Sequence, residues 1–314
     1  MITTTDMFQL NSISHQISAR LLLLLAIAIP WGNSSAQNII LGVLEDNQGH
    51  YVGDSNYRTV RVVFEKDGDE WRPFRSGCED QMCLKAVTSS YPSEVKWTIT
   101  FDGKSMGHVV TRNPSDFHWY SDVGQQAITS TTPVPTIGTR SPEFGGFTGA
   151  TVYRPLVASS KQYVADPDRW KPLILSRELT ALLQQAFRRK FPKLCRTSPA
   201  EQSGLEQSPY RDKDVKVVKA YVSGSGSLLA RLHLEAVACQ DKEAGFEIDD
   251  PWFFVDTDKA VTYLDSGVWL IDEGDYDNDG KSELIFAIDR YNEGGYEIWY
   301  DNFRKHSTFK FNYH

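Results

Sequence analysis

The residues that could do chemistry gather in one run, Gly274-Asp275-Tyr276-Asp277-Asn278-Asp279-Gly280-Lys281-Ser282-Glu283. Counting Asp275 as position 1, carboxylates stand at positions 1, 3, 5 and 9, and glycine stands at 6. Calcium takes about six to eight oxygen ligands in a flexible sphere, and a tight loop supplies them by turning alternate side chains inward. Gly280 permits the sharp turn that brings the Lys281 carbonyl inward at position 7. Four clustered carboxylates repel one another unless a cation sits among them. Mg²⁺ fits this pattern less well, because it keeps its waters and prefers a rigid octahedron.

An EF-hand would need a bidentate Glu at position 12, which is Phe286, and a following helix, where the sequence has an apolar strand. The alternative is a nine-residue loop between two strands. Val268-Trp269-Leu270-Ile271 followed by Gly274 to Leu284 resembles the calcium loop of FG-GAP or integrin-α-like (VCBS-type) repeats: short strand, D-x-D-x-D-G-x-x-(D/E), second strand. The resemblance implies Ca²⁺ held by Asp275, Asp277, Asp279, the Lys281 carbonyl and Glu283, and it covers about 30 residues of the chain. Those repeats occur in tandem as propeller blades, whereas this chain has a single copy, so a propeller is not supported.

Catalytic signatures are sparse. The chain has no H-E-x-x-H, no G-x-x-x-x-G-K-(S/T) and no G-x-G-x-x-G. Gly224-Ser225-Gly226-Ser227 is not a nucleophile elbow and reads as a flexible turn between strands. His118-Trp119-Tyr120 could line a sugar or peptide site, but in a chain with 38 aromatic residues it reads first as core or edge strand. A glycosidase built from carboxylates distant in sequence stays open as the alternative.

The elements that must position the loop are mostly strands. Val60–Phe64 with Asp67-Gly68 and Trp71 is a hairpin signal, as are Val95, Trp97, Ile99 and Phe101 with Asp102-Gly103, and both turns suit type I′ geometry. Residues 121–154 are rich in Thr, Pro and Gly, and read as a long surface loop or a boundary between lobes. One helix is clear. Ser176 can cap it, Leu179, Leu182, Leu183, Ala186 and Phe187 share a face, Arg188-Arg189-Lys190 complements its C-terminal dipole, and Pro192 ends it. Val215–Val222 and Leu228–Ala238 alternate as strands, as do Val268–Ile271, Leu284–Ile288 and Tyr296–Tyr300, the last two joined by Asn292-Glu293-Gly294-Gly295. The fold class is therefore α+β, predominantly antiparallel β with one clear amphipathic helix. A signal peptide (1–36) precedes a β-rich region (37–150) and an α+β region (151–314) carrying the loop 275–283, as two lobes or one compact unit.

Arg20 precedes a nine-residue apolar run, Leu21–Ile29, followed by Pro30, Gly32 and Ser34-Ser35-Ala36, the layout of a secretory signal peptide. Nine residues fall short of the roughly 20 that cross a hydrocarbon core. The four cysteines, Cys78, Cys83, Cys195 and Cys239, suit an oxidising compartment and lack zinc spacing. Of the three pairings we expect Cys78 with Cys83 and Cys195 with Cys239. The net charge of −8 argues against nucleic acid, and it is concentrated: residues 247–283 hold twelve carboxylates and two lysines, and the remainder of the chain sums to +2. The expectation is a secreted or periplasmic calcium-binding protein, its ion a structural staple in a binding or envelope scaffold, meeting an extracytoplasmic ligand. The alternative is a calcium-stabilised hydrolase of polysaccharide or peptide.

Overall fold

A computed structural model describes residues 38–46, 58–78, 80–113, 119–145, 151–162, 165–192, 194–197, 205–208, 211–234, 237–238, 250–290 and 292–312. The expected signal peptide and His118 lie outside them, as does Cys239 and with it the second expected disulfide. Residues Asn38–His314 form one compact unit. Every strand pairing among the described residues is antiparallel.

The first sheet is built from β1 (Ile40–Asp46), β2 (Arg58–Asp67), β3 (Glu70–Pro73), β4 (Glu94–Phe101), β5 (Lys104–Arg112), β6 (Gln125–Ile128) and β7 (Leu156–Ser159). Their order is β1-β7-β4-β5-β6-β2-β3, and β1 also pairs with β2, which closes a circuit of six strands. The sheet thus takes β6 from the Thr/Pro/Gly-rich stretch and β7 from beyond residue 150. Asp102-Gly103 joins β4 to β5 with φ of 53° and 63°, as a type I′ turn requires. The other hairpin departs from expectation. Asp67 pairs with Glu70, so Gly68-Asp69 occupies the turn and only Gly68 has positive φ, the type II′ pattern with glycine first. Thr98 and Thr100, which alternate with Trp97 and Ile99 and so lie on the opposite face of β4, are buried as well, because β4 is an inner strand between β5 and β7.

Between β3 and β4 lies α1 (Gln81–Thr88), capped by Asp80, whose Oδ1 accepts from the Cys83 N–H at 2.7 Å. The expected Cys78–Cys83 disulfide spans its first turn, with Cα atoms 5.5 Å apart.

The second group comprises β8 (Lys171–Pro172), α2 (Arg177–Lys190), β9 (Leu194–Thr197), β10 (Leu205–Ser208), β11 (Val215–Val222), β12 (Leu228–Leu234), β13 (Val237–Ala238), β14 (Trp252–Val255) and β15 (Val261–Tyr263). Five strands form the sheet β15-β14-β12-β11-β8, and three form β10-β9-β13. Helix α2 is the predicted one: Ser176 Oγ accepts from Leu179 N–H at 3.2 Å, and Leu183, Ala186 and Phe187 pack on Leu232 and Phe253 of the larger sheet.

The last four strands, β16 (Val268–Gly274), β17 (Glu283–Arg290), β18 (Glu293–Tyr300) and β19 (Lys305–Asn312), make a meander. One face, with Ile271, Ile285, Ile298 and Phe309, joins the core of the first sheet. The other, with Leu284, Phe286, Ile288 and Trp299, joins Leu229, Trp252 and Phe254 of the five-stranded sheet. The meander is the middle layer, which is why β17 and β18 read as near-continuous apolar runs. Arg290 pairs with Glu293, so the β17–β18 turn is shorter than expected and Glu293, Gly294 and Gly295 belong to the strand.

Candidate metal centre

The Asp275–Glu283 loop connects β16 to β17, so the middle layer holds both of its ends. Two residues in left-handed conformation fold it: Gly280 (φ 85°), as expected, and Asn278 (φ 61°), one of the few side chains that tolerates this region. Asp275 organises the turn. Its Oδ1 accepts from Asp279 N–H at 3.0 Å and its Oδ2 from Gly280 N–H at 2.9 Å. Its own N–H donates to the Ala165 carbonyl at 2.7 Å, which ties the loop to the segment leading into the second group. Glu283 Oε2 accepts from Tyr276 N–H at 2.8 Å.

Asp275, Asp277 and Glu283 each bring a carboxylate oxygen to within 4.8 Å of the others. Asp279 does not join them. Its carboxylate is exposed, with Oδ1 accepting from the Lys281 N–H at 2.8 Å. The Lys281 ammonium points away to Asp301 at 3.2 Å. Three of the four expected carboxylates therefore converge. Burial raises the Asp275 carboxyl, and burial together with the neighbouring Asp277 charge raises Glu283 well above the carboxylate range. A hard divalent cation would reverse both shifts by supplying the charge these oxygens lack, so the donor set fits calcium.

Two groups that the local motif could not reveal also reach the loop. Lys66 on β2 forms an ion pair with Asp277 Oδ2 without hydrogen-bond geometry, and its ammonium lies 5.1 Å from the Trp71 ring and 5.7 Å from the Tyr300 ring. Lys161 Nζ donates to the Asp277 carbonyl at 2.6 Å. The loop thus touches the first sheet and the segment after β7 as well as its own middle layer.

A second trio, Asp102, Asp166 and Glu273, also brings oxygens within 4.8 Å. It comes from three separate segments. Asp102 pairs with Lys104 at 2.8 Å, Asp166 accepts from Arg169 N–H at 2.7 Å, and burial beside Asp272 pushes Glu273 up to about 8. A neutral Glu273 relieves the repulsion there without an ion. The described histidines make no hydrogen bond to serine: His108 meets Thr98, His233 meets Asp250 at 2.7 Å, and His306 stacks on Trp299. In the β11–β12 turn, Ser223 and Ser225 hydrogen-bond each other at 2.7 Å.

No protein family, curated protein or solved structure matches this chain.

Proposed function

We propose that this is an exported calcium-binding protein in which one ion, held by Asp275, Asp277, Glu283 and the Lys281 carbonyl, with Asp279 turning inward on binding, staples a β-rich scaffold. The observation that carries the reading is the convergence of three carboxylates, two of them on buried residues, in a loop fastened to β2, to Lys161 and Ala165, and to the middle sheet. An ion there lowers the free energy of the layered fold. The Cys78–Cys83 disulfide and the N-terminal apolar run support the extracytoplasmic placement.

Extracellular calcium modules bind at about 10⁻⁴ to 10⁻³ M, so millimolar calcium should stabilise the protein by about 0.4 to 1.4 kcal/mol. For a domain of this size that is a rise in Tm of about 1 to 5 °C. Calorimetry on the purified protein should show calcium heat that Asp277→Ala abolishes. Heat that survives the substitution, or no heat at millimolar calcium, refutes the site.

A further inference from the structure

One face of the loop opens on a cleft. It is a small, half-open hollow of about 110 Å³, and its walls come from five stretches of chain: Asp168 and Trp170 before β8, Ser225 and Ser227 of the β11–β12 turn, Phe254 of β14, Gly280 to Ser282 of the loop, and Asn302 and Phe303 after β18. The chemistry of the walls is divided. Trp170, Phe254 and Phe303 form one aromatic cluster, Phe303 standing 6.3 Å from Trp170 and 4.7 Å from Phe254 between ring centroids. Around it stand short hydroxyls, an amide and one charge of each sign.

Two of the lining groups are unfinished. Ser282 is 2% exposed and Trp170 8%, yet Ser282 Oγ and Trp170 Nε1 have no hydrogen-bond partner among the described residues. Buried donors are almost always paired, and an unmet one beside a cavity marks where a ligand or an ordered water completes the bond. The Gly-Ser run that is no nucleophile elbow also acquires a place here. Its Ser223 bonds to Ser225 and Ser227 hold the turn in shape, and Ser225 and Ser227 line the cleft.

We propose that this cleft binds one sugar unit, a neutral polyol with an apolar ring face, and that the calcium loop is one of its walls. An aromatic cluster bordered by hydroxyl, amide and indole donors suits a ring with carbon–hydrogen faces and hydroxyl edges. A fatty ligand would leave Ser282 and the charged pair unmet. A free anion would meet Asp168. Because Lys281 supplies both a carbonyl ligand to the ion and part of the cleft wall, ion binding and sugar binding should be coupled. This coupling rests on the calcium reading, whereas the ligand class does not.

The test is saturation-transfer NMR on the purified protein in millimolar calcium, with glucose, galactose, mannose and N-acetylglucosamine as probes and glycine and acetate as controls. A ligand of about twelve non-hydrogen atoms is expected to bind in the millimolar range, so each is offered at about 10 mM. At least one sugar should bind, and Ser282→Ala and Trp170→Phe should each weaken it about fivefold or more. No sugar binding, binding of the controls alone, or sugar binding that neither variant alters overturns the cleft. Calcium calorimetry on the same sample separates the two readings. Calcium heat without sugar binding refutes the cleft alone, and sugar binding without calcium heat refutes the staple and the coupling. Where both bind, Asp277→Ala should weaken the sugar at least about threefold, and an unchanged affinity refutes the coupling.

Discussion

At the scale of single residues, the most consequential contact is between Lys66 and Asp277. An ammonium already stands against one of the oxygens an incoming ion would use, and its side chain is only 14% exposed. The lysine steadies the loop, and under the proposed calcium reading it would compete with the ion for Asp277. Lys66→Met should therefore tighten calcium binding by about tenfold, or roughly 1.4 kcal/mol, while lowering stability in chelator. Calorimetry reads the first effect and thermal unfolding in chelator the second, and an unchanged affinity would show that the ammonium is not in the ion's way. A different residue, on β18, contributes to the pH response alongside Asp272 and Glu273, whose carboxyls burial also raises. Burial, with the nearby Asp265 charge and hydrogen bond, pushes Glu297 on β18 up to about 8. Between about 4.5 and about 8 the folded protein binds this proton and the unfolded chain does not, so Glu297 makes stability fall as pH rises through that window. Glu297→Gln keeps the shape and removes the titration. The loss of stability between about pH 5 and about pH 8, measured by urea unfolding, should be smaller in the variant than in the parent.

At the scale of elements, how much could be read from the sequence depended on length and on how many faces an element buries. Helix α2 was legible because fourteen residues carry cap, stripe and stop together. Helix α1 was not, since eight residues give too little periodicity, and its local signal is the cap Asp80 lying between Cys78 and Cys83. The acidic turn between two strands was legible as spacing, but its partners Lys66 and Lys161 come from distant segments that only the tertiary fold brings near. The cleft was illegible for the same reason, because its walls lie on five separate stretches of chain. The Gly294-Gly295 pair, read as a turn, proved to be strand for a reason that packing supplies. A Cβ on Gly295 would sit 2.2 Å from the Phe309 carbonyl oxygen of β19. Gly295→Ala must push β18 and β19 apart in the middle layer, and should cost about 2 to 4 kcal/mol in urea unfolding. A change below about 1 kcal/mol would mean that the two strands have room to separate.

At the scale of the whole molecule, the meander belongs to two cores at once, and one buried network pins it to the first sheet. Arg61 of β2 donates to Glu45 of β1 through Nε at 2.6 Å and Nη2 at 3.0 Å, and through Nη1 to the Ser121 and Val123 carbonyls. Tyr296 of β18 donates to Glu45 Oε1 at 2.5 Å, and the Arg61 guanidinium lies 4.1 Å from the Phe311 ring of β19. Removing the arginine leaves Glu45 buried without its counter-ion, which typically costs about 3 to 5 kcal/mol. Glu45→Gln in the same chain removes that orphaned charge, so the double variant should recover part of the loss and measure the coupling directly. The consequence reaches beyond the first sheet. Because Trp252 and Phe286 meet edge to face across the far face of the same middle layer, with ring centroids 5.6 Å apart, loosening one face should be felt on the other. Arg61→Met should shift tryptophan fluorescence and far-ultraviolet dichroism to the same lower urea midpoint, as one cooperative unit requires. Two separated midpoints would instead mean that the five-stranded sheet and α2 hold without the first sheet, and that the middle layer joins the two cores without coupling them.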